Sequence, residues 1–230
     1  WTGNGSDDRA ITGVGFQPDF SWIKSRNTTN DHLLFDVLRG VGKYMRSNAV
    51  DTETNNADTL QAFASDGFEI GTDSRLNGNN DPVISWNWKA GNANTAFAES
   101  GNNPAGTHRA NQAAGFSIVS YTGTGAAGTV AHGLGAAPEW ILIKNRDVND
   151  EWYVYYGDNT DYLVLNDTDA PADSAAAFND TSPTSTVFTV NTSHSVNADG
   201  EKYIAYCFRS IDGHSKLGQY EGNNNANGTF

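Results

Sequence analysis

One cysteine, Cys207, and one methionine occur in the 230 residues, so no internal disulfide can form and no pair of thiolates is present to hold a metal. Basic side chains are also scarce. Fourteen Lys and Arg, spread along the chain, face 27 Asp and Glu, and the formal charge of −13 argues against the cationic patch that phosphate binding requires. Nucleic acid is therefore not an expected partner. No apolar run approaches the roughly 20 residues of a membrane helix, and nothing reads as a signal peptide, so no membrane insertion is expected. A GxSxG nucleophile elbow is missing, and His32, His108, His132, His194 and His214 show no metal-binding spacing. No strand pattern sets two acids on one face in the manner of a glycosidase. The sequence reads as a non-enzyme.

What the chain has in quantity is aromatic bulk and turn formers. Only 37% of residues are hydrophobic, but six Trp, eleven Phe and nine Tyr concentrate that content in large side chains. Twenty-four Gly, with many Asn, Thr, Ser and Asp, separate short apolar runs, a composition suited to many strands joined by turns. Cys207 lies within Tyr203-Ile204-Ala205-Tyr206-Cys207-Phe208 and reads as a small strand residue.

The chain is also internally repeated at a constant offset of 120: Gly13, Gly15, Pro18, Ile23, Lys24 and Arg26 recur as Gly133, Gly135, Pro138, Ile143, Lys144 and Arg146. Phe68, Ile84, Trp86 and Trp88 return as Phe188, Ile204, Tyr206 and Phe208. A constant offset means equal element lengths and one backbone plan for both copies. Tyr220-Glu221-Gly222 resembles a further start of the unit, like Trp1-Thr2-Gly3 and Tyr121-Thr122-Gly123. The expected organisation is a first unit at residues 1–112, a second at 113–230, and 214–230 as the opening of a third. Residues 91–112, rich in Asn, Ala and Gly, read as a linker or long surface loop.

Within each unit, Phe20–Lys24 and its copy Trp140–Lys144 carry bulky groups on both faces, as a central strand does. Leu33 and Phe35, with their copies Tyr153 and Tyr155, mark the core face of the next strand. Ile84, Trp86 and Trp88 alternate with Ser85 and Asn87, and these aromatics are expected in the core. Only Thr59 to Phe63 has any helical character, and no helix is assigned there because its counterpart contains Pro183 and Ser-Thr clusters. The fold class is thus all-β, with tandem antiparallel β-sandwich units of jelly-roll type. Two separate domains are preferred, with a single fused sandwich as the alternative.

Three local features carry possible chemistry. Gly123-Thr124-Gly125-Ala126-Ala127-Gly128 matches the phosphate-cradling GxGxxG pattern, but it does not open a helix, so no nucleotide site is expected. Asp147, Asn149 and Asp150 supply hard oxygens within one turn and form the candidate metal site, with calcium the ion such ligands suit; an ordinary solvated turn is the simpler reading. No other cofactor is expected. Trp152 and Tyr156 stand where the first unit has His32 and Asp36, opposite the face assigned to the core. Two aromatics on one outward face would make a platform for a sugar ring, so this pair is the candidate binding site; packing under a loop or against a neighbouring unit is the alternative.

At GVGFQPDFSWIKSR, LLFD, DGFEIG and SWNWKAG, and again at GFSIVSYTGTG and HGLGAAPEWILIKNRD, the chain resembles repeat units of tail-fibre and other virion-surface proteins of marine tailed bacteriophages. The resemblance implies a laminin-G or concanavalin-like jelly roll and a location on a virion surface, outside the host cell. It further implies a homo-oligomer that contacts other virion proteins and host cell-surface glycan. The expected function is adhesion without catalysis; a polysaccharide depolymerase and a purely structural spacer or capsid decoration are the alternatives.

Overall fold

The structure, a computed structural model, describes residues 1–220, so most of the segment expected to open a third unit lies outside the described residues. The first repeat forms β1 (Arg9–Thr12), β2 (Phe20–Ser25), β3 (Leu33–Asp36), β4 (Lys43–Arg46), β5 (Thr54–Asn55), β6 (Leu60–Ala64) and β7 (Gly67–Ile70), then the one-turn helix α1 (Ser74–Asn77) and β8 (Val83–Trp88). Next come β9 (Thr95–Phe97), β10 (Gly106–Asn111), β11 (Phe116–Thr122), β12 (Gly128–Ala131), β13 (Trp140–Asn145), β14 (Trp152–Tyr155), β15 (Asp161–Val164) and β16 (Ala172–Asp173). The chain closes with α2 (Ala175–Phe178), β17 (Val187–Val190), α3 (His194–Asn197) and β18 (Lys202–Phe208). The fold is all-β and antiparallel, as the turn-rich composition requires. β2 and β13, β7 and β17, and α1 and α3 have identical lengths and lie 120 residues apart.

Four sheets stack in layers. A three-stranded sheet (β1-β7-β6) packs on a five-stranded one (β5-β4-β3-β2-β8) through Ile23, Leu33, Phe35, Leu60, Phe68 and Ile70. A two-stranded sheet (β12-β17), with α2 and α3, packs on an eight-stranded one (β16-β15-β14-β13-β18-β11-β10-β9) through Ile141, Ile143, Tyr155, Phe188 and Tyr203. Cys207 faces this second core, where burial pushes its thiol up to about 12. A third core lies between the two large sheets and takes Phe20, Leu34 and Met45 from the first repeat with Leu142, Trp152, Val154 and Tyr206 from the second. Both faces of β3 and β14 are therefore buried, and the two repeats share an apolar layer rather than standing apart.

Two sequence expectations change here. Residues 91–112 are not a free linker: β10 pairs with β11 along its whole length, from Gly106↔Tyr121 to Asn111↔Phe116. Leu60–Ala64, where the sequence assigns no helix, is strand β6, paired with β7 through a bulge between Leu60 and Ala62 that turns Leu60 and Phe63 to the core. Trp86 and Ile84 are not core; they are 44% and 38% exposed, whereas their copies Tyr206 and Ile204 are fully buried. β8 ends its sheet, while β18 has neighbours on both sides.

The glycine-rich segment has a structural role. Asn77 and Asn197 are both fully buried and act alike. The Oδ1 of Asn77 accepts from the Asn4 N–H (3.0 Å), and its Nδ2 donates to the Ser6 (2.8 Å) and Gly71 (3.0 Å) carbonyls. Asn197 repeats this with the Thr124 N–H (2.9 Å) and the Ala126 (2.7 Å) and Asn191 (2.8 Å) carbonyls. A Cβ at Gly123 would lie 2.2 Å from the Ala198 carbonyl oxygen, and one at Gly3 would lie 1.9 Å from that of Gly78. The glycines permit close backbone packing, and no phosphate cradle is formed.

Polar groups fix how the repeats meet. Arg39, 4% exposed, forms an ion pair with Asp36, and the Tyr206 hydroxyl donates to Asp36 Oδ2 (2.8 Å) while accepting from Arg39 Nη2 (3.1 Å). The Trp152 indole donates to the Arg46 carbonyl (2.7 Å), and Arg146 grips Glu53 at 2.9 and 3.1 Å. Tyr206→Phe deletes one donor and one acceptor on buried charges and should cost about 1.5–3 kcal/mol in urea denaturation. An unchanged midpoint would show that the hydroxyl does not tie the repeats together.

Candidate functional site

On β13, β14 and β18 the even-numbered side chains share one face, since Leu142 pairs with Val154 and Tyr206, and Lys144 pairs with Trp152 and Ile204. That is the face the first repeat covers. Trp152 sits beneath the cover, fully buried and stacked on Tyr206 with ring centroids 6.2 Å apart. It is not an outward platform. Of the two readings of this face, packing against the neighbouring unit is the one that Trp152 follows, because that side is a second core.

Tyr156 has a different setting. It is half-buried at the rim of the shared core, beside Trp140, whose ring lies 5.6 Å from that of Phe208. Here the first repeat no longer covers the sheet, and a groove of about 770 Å³ opens between Trp140, Tyr156, Leu163 and Pro171 on one side and residues 216–220 on the other. Glu139 also lines it, and its carboxylate accepts from the Ser210 hydroxyl (2.6 Å) and N–H (3.3 Å). Gln219 donates to the Tyr156 carbonyl (3.1 Å), which holds the far wall in place. Burial, and the carboxylates of Asp161 and Asp158, raise the Tyr156 phenol above its ordinary value, so it stays a neutral donor and acceptor at physiological pH. The groove thus offers aromatic faces with a polar rim of Glu139, Lys216 and Gln219.

Tyr156 lines this groove together with Trp140, Glu139 and the 216–220 segment, whereas Trp152 is buried away from it. Trp140 was legible as a strand residue, but nothing in its spacing marked it as half-exposed. Its copy in the first repeat, Phe20, is fully buried.

The proposed cation loop does not gather its oxygens. Asp147 Oδ2 accepts from the Lys202 N–H (2.8 Å) and Asn149 Oδ1 from the Thr52 N–H (3.2 Å). Asp150 Oδ1 accepts from the Glu151 N–H (2.8 Å) and the Ser195 hydroxyl (3.1 Å). Each side chain serves a different contact, and all three reach other elements: β18, the loop at Thr52 and α3. Among the described residues no group of three or more His, Cys, Asp or Glu could hold a metal.

Lys144 is the more unusual group on this face. It is fully buried, and its ammonium donates to the Asn145 carbonyl at 2.9 Å. Burial pushes it down to about 8, with Asp150 and Asp51 pulling the other way. Its first-repeat copy, Lys24, is only half-buried and reaches the Ser25 (2.7 Å) and Thr28 (2.9 Å) carbonyls.

Two outcomes follow for variants. Trp152→Ala should destabilise the protein by about 3–5 kcal/mol through the cavity it leaves, a loss read in chemical denaturation. Lys144→Met should stabilise it by about 1–3 kcal/mol at pH 7, where folded and unfolded chains both carry the proton and the burial cost is in full force. As pH rises from about 8 towards 10.5 only the unfolded chain keeps that proton, so wild type regains ground and the gap should narrow in paired thermal melts. A gap independent of pH would contradict the assignment.

No curated protein and no solved structure matches this chain. A family model described as a domain of unknown function (DUF7483) matches residues 1–230, and the chain belongs to that family.

Proposed function

We propose that the protein is a non-enzymatic adhesion module whose groove at Trp140 and Tyr156 holds a sugar ring of a cell-surface glycan. The observation that carries this reading is the pairing of two half-buried aromatic side chains with a polar rim in one open groove. Sugar rings stack their C–H faces on aromatic planes and bond their hydroxyls to side chains such as Glu139 and Gln219. Among the described residues Glu139 is the one carboxylate that lines the groove, with Asp161 lying behind the Tyr156 hydroxyl, whereas glycoside hydrolysis commonly uses two across the scissile bond. That favours retention of glycan over its cleavage. On this reading the repeats are jelly-roll units of laminin-G or concanavalin kind, displayed extracellularly on a virion or tail fibre. Other virion proteins and further copies of the chain are their neighbours, and weak sites gain strength by multivalency.

Screening on a glycan array, followed by titration of the strongest hit, tests the proposal. Binding without release of oligosaccharide is expected, and Trp140→Ala and Tyr156→Ala should each weaken it about 10-fold or more while melting as cooperatively as wild type. Release of shorter sugars would assign a depolymerase instead. Binding to no glycan would leave a spacer or decoration role.

A further inference from the structure

Four neighbouring strands of the eight-stranded sheet bring polar side chains together at the end away from Trp140. Arg146 follows the last residue of β13, and its N–H donates to the Lys202 carbonyl on β18 (2.8 Å). Lys202 pairs with Thr122 on β11, and Ser120 on β11 pairs with Thr107 on β10. Lys144, Ile204, Ser120 and Thr107 are in register across the sheet, so these residues share the face that the first repeat covers. Trp140 and Arg146 are six residues apart, which at roughly 3.4 Å per residue separates this place from the groove by about 20 Å.

A pocket of about 280 Å³ opens here. Both charged side chains that line it, Arg146 and Lys202, are cationic, and among the described residues no carboxylate does, in a chain with 27 acidic and 14 basic residues. Glu53 takes the Nε and Nη2 of Arg146 (2.9 and 3.1 Å), and Ser120 Oγ accepts from its Nη1 (3.1 Å). A guanidinium carries five N–H groups, so two are left without an acceptor among the described residues. The exposed Lys202 ammonium has no acceptor or ion-pair partner among them either; the Asp147 carboxylate bonds the Lys202 backbone N–H (2.8 Å) instead. In the first repeat Arg26 and Pro82 stand at the positions of Arg146 and Lys202, so duplication alone does not account for the pair of cations.

We propose that this pocket binds the acid group of a single acidic sugar residue, a carboxylate or a sulfate ester, as a second subsite for the glycan assigned to the Trp140 groove. The sugar is taken from that reading, whereas the anion rests on this pocket alone. The unused N–H groups of Arg146 can meet the oxygens of either acid, and Lys202 adds a point charge. At about 30 Å³ per water the space equals about nine waters, enough for one sugar ring and too little for a chain of phosphates. The hydroxyls of Thr107 and Thr122 and the amide of Asn94 complete the lining and suit ring hydroxyls.

NMR titrations of the whole protein with galacturonate, galactose 6-sulfate, galactose and acetate test the proposal. The amides of Thr107, Thr122 and Lys202 should move with at least one of the two acidic sugars, and the tighter of them names the acid. Lys202→Gln should weaken that binding about 10-fold, Lys202→Glu should abolish it and Lys202→Arg should preserve it, all with unchanged melting. Equal shifts with galactose, no shifts with any probe, or full binding by Lys202→Glu overturns the proposal. Acetate bound as tightly as the acidic sugars would mark a bare anion site and overturn the sugar. Trp140→Ala should leave these shifts as they are. Shifts retained while Trp140→Ala has no effect on the glycan-array hit fail the groove alone, and the opposite pattern fails this pocket alone.

Discussion

A buried guanidinium sets the terms on which the two halves meet. Arg39 lies in the layer between the large sheets, where a charge without partners would cost several kcal/mol, so its position is tolerable only with Asp36 and Tyr206 both in reach. Asp36 belongs to the first repeat and Tyr206 to the second. A slip of one residue in the packing of the sheets would remove the phenol and leave the ion pair short of a partner. The apolar contacts around it, Phe20 and Leu34 on Leu142 and Val154, supply area but little direction. Arg146 on Glu53 and the Trp152 indole on Arg46 extend the same fixation across the interface.

Much of the fold was readable because strand periodicity and a fixed repeat offset are local signals. β2, β3, β7 and β8 and their copies lie where alternation placed them. What alternation does not reveal is what covers a face. Trp152 and Trp86 illustrate the limit: each follows the same period-two pattern, yet the first is sealed by the opposite repeat and the second is left in solvent. β10 was misread because Gly106–Asn111 carries small and polar residues, and it is held by pairing along β11 rather than by apolar contact. Asn77 and Asn197 could have been found, since both recur at the offset of 120, but Asn is common in this chain and their burial is a tertiary fact.

The candidate site was half legible for the same reason. Tyr156 stood out by differing from Asp36 in the other repeat, and it lies where the covering sheet stops. Trp140 replaces a buried Phe20, a change from one aromatic to another that no local rule distinguishes. Partial overlap of the large sheets leaves aromatic surface at two places, Trp140 with Tyr156 on one sheet and Trp22 with Trp86 on the other. Among the described residues the rim at Trp140 and Tyr156 lines a groove, and Trp86 at the other rim is 44% exposed.

The span of chain between Asp36 and its partner Tyr206, 170 residues, has a consequence during synthesis. At roughly 5–20 residues per second, the ribosome needs on the order of 10 s to deliver the second half after the first has emerged. Throughout that interval Phe20, Leu34 and Met45 have no cover. The nascent chain therefore presents a sticky sheet surface to its surroundings, and the late arrival of Leu142, Trp152 and Tyr206 closes it. Such long-range closure favours slow maturation.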